Sequence, residues 1–210
     1  MRVAPAPRAL TYDLERLFVD QARDWVIDTV APVLAWVQGK SRQREQQPFR
    51  FEVEHVVGRK AAKPVYIDLR WDMTKLVAHI PDLSDKARRF RQGRTAQRED
   101  ITELAAYGLT FVAISALMPG RRVLPMQMGV APDILFDVTP GALRGVETAG
   151  RSTGGKAALR VVRDGEPARE GKPGKPGKAA SLRQRNDIAE VHLSLWCASP
   201  RLGTMAQLRP

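Results

Sequence analysis

Pro132-Asp133-Ile134-Leu135-Phe136-Asp137, then Thr139-Pro140-Gly141, then Arg144-Gly145-Val146-Glu147-Thr148-Ala149 decide how this chain is read. Asp133 to Val138 and Leu143 to Ala149 have the apolar content of strands, and the Thr-Pro-Gly segment between them is a turn signal, so the pair forms an antiparallel hairpin. Asp133 then stands at the mouth of one strand and Glu147 inside its neighbour. Two carboxylates side by side are what oxygen-seeking Mg²⁺ requires. A metal held there could activate water and neutralise a phosphodiester in its transition state.

Working outward, Arg122 to Met128 reads as a further strand, preceded by a helix over Asp100 to Met118 that stops at Pro119-Gly120. Downstream, residues 165–178 are dominated by Gly, Pro, Lys and Glu and read as a mobile basic loop. Between Arg151 and Arg185 there are ten Lys/Arg against three Asp/Glu, a local excess of +7. The alternation Val191, Leu193, Leu195, Cys197 predicts a closing strand, although Leu182 to Leu195 can also be drawn as a helix. Nearer the N-terminus, Thr11 is placed to cap a helix carrying Leu14, Leu17, Phe18, Trp25 and Val26, kinked or restarted at Pro32. Phe49, Phe51, Val53, His55 and Val57 alternate with charged residues as one strand, Gly58 to Lys63 turns, and Val65, Ile67, Leu69 and Trp71 return as another. Lys75 to Ile80 adds a third strand in this reading, and Lys86 to Arg98 is a basic segment.

Helix, three strands, helix and strand, arranged around two acids, resemble the core of the PD-(D/E)XK nuclease superfamily over roughly residues 97–200. The resemblance implies an α+β fold with a mixed β-sheet flanked by helices, a restriction-endonuclease-like core extended by an N-terminal helix and β-meander. The extension would span 1–96 and the core 97–210, together one compact unit. It also implies that Pro132 and Asp133 match the Pro-Asp pair and Glu147 the second acid, with Glu103 as the extra helical acid and Asp137 as an alternative assistant. The sequence departs from the pattern at Ala149, where the superfamily has lysine. Arg151 or Lys156 could supply that cation. The alternative is a nuclease-like binding or assembly protein that does not cut.

Two other motifs overlap this region. Gly150-Arg151-Ser152-Thr153-Gly154 satisfies the nucleophile-elbow pattern G-x-S-x-G, which makes a serine hydrolase using Ser152 a third reading, with Asp187 and His192 as its only available partners. Gly150 to Lys156 satisfies G-x-x-x-x-G-K, yet Ala157 lacks the hydroxyl that a nucleotide loop needs for Mg²⁺. Arg151, Ser152, Thr153 and Lys156 are better placed to hold a nucleic-acid phosphate. Glu52, Glu54 and Asp68 are expected to pair across strands with Arg50 and Arg70. The four tryptophans and His55 belong to apolar faces, and His192 is expected at the surface.

The 210 residues carry 34 Lys/Arg against 23 Asp/Glu, a net charge of +11, with 43% hydrophobic residues. That is enough chain to bury a core without staples. The single Cys197 excludes an intrachain disulfide and, with scattered histidines, a Cys/His zinc cluster, so a cytoplasmic location is expected. The N-terminus lacks the apolar core of a signal peptide. The apolar run Leu104 to Met118 is short for a membrane span, so no membrane partner is expected. The charge favours a polyanion, DNA more than RNA, gripped by residues 86–98 and 165–178 with steep salt dependence.

Overall fold

The structure, a computed structural model, describes residues 8–39, 46–58, 63–126, 131–137, 142–168 and 173–209. Its elements are β1 (Arg8–Asp13), α1 (Leu17–Asp20), α2 (Arg23–Gln38), β2 (Phe49–Val56), β3 (Lys63–Arg70), α3 (Met73–His79), α4 (Leu83–Arg91), α5 (Arg98–Leu117), β4 (Val123–Met126), β5 (Ile134–Phe136) and β6 (Arg144–Thr153). Then come α6 (Gly155–Asp164), β7 (Gly165–Glu166), β8 (Lys175–Pro176), α7 (Lys178–Arg183), β9 (Glu190–Ser199) and β10 (Leu202–Arg209). This is the expected α+β architecture, a mixed sheet flanked by helices. Eight strands lie in the order β1-β3-β2-β10-β9-β6-β5-β4, and β7-β8 form a separate two-stranded ribbon.

β4, β5 and β6 run as an antiparallel meander. A crossover through α6 and α7 then brings β9 parallel to β6, and β10 folds back antiparallel on β9. The N-terminal hairpin β2–β3 joins through β2, which lies parallel to β10. Residues of the 1–96 extension and of the 97–210 core therefore share one sheet.

β9 shows how the layers are built. Leu193, Leu195 and Cys197 pack with Leu159 of α6 and Leu182 of α7, whereas Trp196 joins the larger core with Phe51 of β2, Val30 and Leu34 of α2 and Phe111 of α5. Successive strand side chains point to opposite faces, so α2 and α5 cover one side of the sheet and α6 and α7 the other. Helix α5 is long and apolar enough to cross a membrane by composition, but 67% of that stretch is buried inside the fold. It is the core helix the sequence suggested.

Several local expectations are corrected. Thr11 lies in β1, which pairs parallel with β3, and does not cap a helix. Pro32 sits inside α2 without restarting it. Lys75 to Ile80 is not a strand: the Asp72 carboxylate accepts from the amides of Thr74 and Lys75, capping α3, and Leu76 and Ile80 are buried one turn apart. The segment 165–178 is not a featureless loop in its described part, because β7 and β8 pair there and Lys178 opens α7. The helical alternative for Leu182 to Leu195 fails beyond Arg183, where the chain turns into β9. His192 is buried, not superficial, and bonds the Glu190 carboxylate at 2.7 Å. Trp36, Trp71 and Trp196 are buried as expected. The turn at 139–141 lies outside the described residues.

Candidate active site

The site arises from a difference in strand length. β5 pairs with β6 only as far as Ile134 opposite Val146, while β6 continues to Thr153. Among the described residues, the edge of β6 beyond that pair has no strand partner on the β5 side. Asp133 stands where the next partner would be, and its Oδ2 accepts the Thr148 amide proton at 2.8 Å. That bond takes the place of a ladder bond and anchors the Asp133 carboxylate beside Glu147. A cleft of about 370 Å³ follows the open edge, with Thr148 to Ser152 as its floor. Glu103 and Arg98 of α5 form one wall and Lys178 of α7 closes the other end.

Electrostatics tie the acids together. Burial, and after it the neighbouring Glu147 carboxylate, pushes Asp133 up to about 6 against the opposing pull of the Thr148 amide and Lys178. Glu147 is only 6% exposed. Its Oε1 accepts from the Lys178 ammonium, and its Oε2 is buried with no hydrogen-bond partner among the described residues. Tyr107, one turn along α5 from Glu103, donates its hydroxyl to Glu103 Oε1 at 3.2 Å. Burial raises the Tyr107 hydroxyl far above its ordinary value, and Asp133, Glu103 and Glu147 add to the effect. Asp133, Glu147, Glu103, Tyr107 and Lys178 thus form one coupled cluster.

The other sequence candidates divide. Arg151 lies on the cleft floor, exposed. Ser152 also lines the cleft, with Oγ 3.0 Å from Thr102 Oγ1. Asp137 is not with the acids: its carboxylate accepts from the Arg122 amide and pairs with Arg121 at 3.2 Å, at the other end of β5. Lys156 also turns away, to Glu52 Oε1 at 2.6 Å. Glu52 therefore does not pair across the hairpin as expected, although Arg50 does bond Asp68, while Arg70 reaches Asp13 on β1. Thr153 borders a neighbouring cavity instead of the cleft. The hydrolase partners are dispersed. His192 lies beside Val146, while Ser152 sits near the Cys197–Ser199 end of β9, about 20 Å farther along the strand. Asp187 is bonded to Arg185.

Sequence reasoning missed Lys178 and Tyr107. The tyrosine was within reach, since it follows Glu103 at the i,i+4 spacing that places side chains on one helical face. The cation that meets the acids is Lys178, from α7 on the crossover, and neither Arg151 nor Lys156 bonds Glu147.

Among the described residues no three His, Cys, Asp or Glu side chains are gathered closely enough to hold a metal ion by themselves. The residues nonetheless fit a hard divalent cation. Glu147 carries an unsatisfied buried oxygen, and Asp133 resists ionisation because it is buried and, after that, because the Glu147 carboxylate is near. A cation on oxygen ligands relieves both. No protein-family model matches the chain, and it has no match among curated proteins or solved structures.

Proposed function

We propose that the protein binds nucleic acid, with DNA as the expected polymer, and hydrolyses its phosphodiester bonds in this cleft with the help of Mg²⁺, in the manner of PD-(D/E)XK nucleases. The observation carrying this reading is the meeting of Asp133, Glu147 and Lys178 at one open strand edge. The order α5, β4–β5–β6, α6 and α7, β9 also accords with the core that the superfamily resemblance implies.

Asp133 and Glu147 would hold the metal, while Glu103, held by Tyr107, stands in the cleft wall outside that pair. When bound, Mg²⁺ supplies neutralisation of the phosphate and acidification of a water. Lys178, beside Glu147, would donate a hydrogen bond to a phosphate oxygen. Arg98 and Arg151 grip the flanking backbone from the two sides of the cleft. The buried free thiol of Cys197 accords with a cytoplasmic setting.

Plasmid nicking with Mg²⁺ tests the reading. Glu147→Ala should lose at least 100-fold in rate, and equal rates in the two proteins overturn it. The second reading, binding without cutting, draws on Ala149 and on the satisfied Lys178–Glu147 pair. It requires that calorimetric titration with Mg²⁺ give no binding heat while nucleic-acid binding persists.

A further inference from the structure

A second cavity, about 410 Å³, adjoins the cleft and shares Arg98 and Ser152 with it. It lies past the Ser152–Thr153 end of β6, under the C-terminal end of α2, with the end of α4 on one side. Its volume is in the range of small-ligand sites. Trp36, Phe90 and Ile101 give it apolar and aromatic walls, and Arg91, Arg98 and Arg201 give it positive charge. No acid is present among its described lining residues. Trp36 contributes one more feature: its indole Nε1 is buried without a hydrogen-bond partner among the described residues. With no accessible surface, that nitrogen is closed to the cavity, and only the indole ring contributes to its wall.

We infer that this cavity receives one unpaired base of the same strand whose phosphate lies at Glu147. The inference rests on the proposed nuclease reading and adds the substrate class: a single-stranded stretch, a frayed end or an extruded nucleotide. Glu147 and Ser152 are about 17 Å apart along the strand, a separation spanned by a few nucleotides of extended chain. A base has the apolar faces that Trp36 and Phe90 suit, and its ring nitrogens and carbonyl oxygens are acceptors. The phosphates on either side of it find Arg98 and Arg91 at the cavity's border. A paired duplex cannot present a base this way without unstacking it, which is unfavourable and least so for unpaired nucleotides. An acidic peptide would meet the same arginines, but it offers no planar ring for the aromatic wall.

Binding of fluorescein-labelled 14-mers to the wild-type protein in EDTA, read by anisotropy, tests this without cleavage. The probes are a single strand, the blunt duplex of the same sequence, and a strand with the same phosphates but abasic at four consecutive central positions. The single strand should bind about tenfold more tightly than either of the others, the size expected from losing a stacked base. Phe90→Ala, at a half-buried position, should remove most of that advantage and leave duplex binding unchanged. Equal affinity for all three probes, or no binding of any, overturns the inference. Nicking lost in Glu147→Ala together with equal probe affinities overturns the base pocket alone. Base-dependent binding together with nicking unaffected by Glu147→Ala overturns the nuclease and leaves the pocket standing.

Discussion

Lys178 and Glu147 are bonded through one carboxylate oxygen although 31 residues separate them, and the whole α6–β7–β8 crossover intervenes. The pair explains how a strand with Ala149 after Glu147 can still keep a cation among its acids. Lys178→Met should leave Glu147 buried with no counter-charge. Because Lys178 is 38% exposed at its side chain, solvent screens part of the loss, and about 1–3 kcal/mol of stability is expected to go in urea denaturation. Nicking should fall at least 100-fold.

The same geometry suggests a rescue. Residues Glu147 and Ala149 project to one face of β6, the face of α7, where Ala149 packs against the small cluster containing Leu182. A lysine at 149 would therefore emerge beside Glu147. Introducing Ala149→Lys into Lys178→Met should restore at least tenfold of the lost nicking rate. A double variant no faster than Lys178→Met would show that the position of the ammonium on α7 matters and not merely its presence.

Asp133 sets a pH dependence. Its folded-state value, near 6, lies above that of an unfolded aspartate, so the folded protein holds the proton more tightly and the ionised carboxylate is a cost to folding. That cost is absent well below pH 4 and fully developed above pH 6. Asp133→Asn retains an acceptor for the Thr148 amide and removes the charge. It should melt a few degrees above wild type at pH 7.5, and the difference should close as pH falls to 4. Adding Mg²⁺ should raise the wild-type melting temperature at pH 7.5 and leave Asp133→Asn nearly unmoved.

The hairpin that brings Asp133 to Glu147 was legible because its signal is local: apolar residues on two short strands with a turn between them. The β2–β3 hairpin and α5 were legible for the same reason, a period of two in one and a long apolar run in the other. β10 was not, since Leu202, Gly203, Thr204 and Met205 are all buried between β9 and β2 and a strand covered on both faces shows no alternation. β1 is short and its partner, β3, is more than fifty residues away. Lys178 was hidden by composition: a Gly-Pro-Lys repeat reads as solvated charge, and only the parallel register of β6 and β9 brings the end of that crossover back over Glu147. The lapse of β5 after Ile134, which opens the cleft, is likewise a property of strand pairing and leaves no mark on either strand's own pattern.

Gly150 tests that open edge from behind. A Cβ there would stand 2.7 Å from the Thr102 carbonyl oxygen and 2.8 Å from Thr102 Cγ2, so β6 and α5 are in contact with no room for a methyl group. The nearest atom belongs to a helix backbone and cannot swing aside. Gly150→Ala should push the strand off α5, costing about 1–3 kcal/mol in urea denaturation. It should also slow nicking, because Arg98 and Glu103 on α5 and Thr148 on β6 face one another across that contact. Arg151→Ala, one position along and exposed, is the comparison. Its stability should stay within about 0.5 kcal/mol of wild type, while its nucleic-acid affinity falls and the slope of log affinity against log salt drops by about one. If Gly150→Ala matched wild type in both stability and rate, the strand edge would not be held by α5 and the cleft would lack a rigid floor.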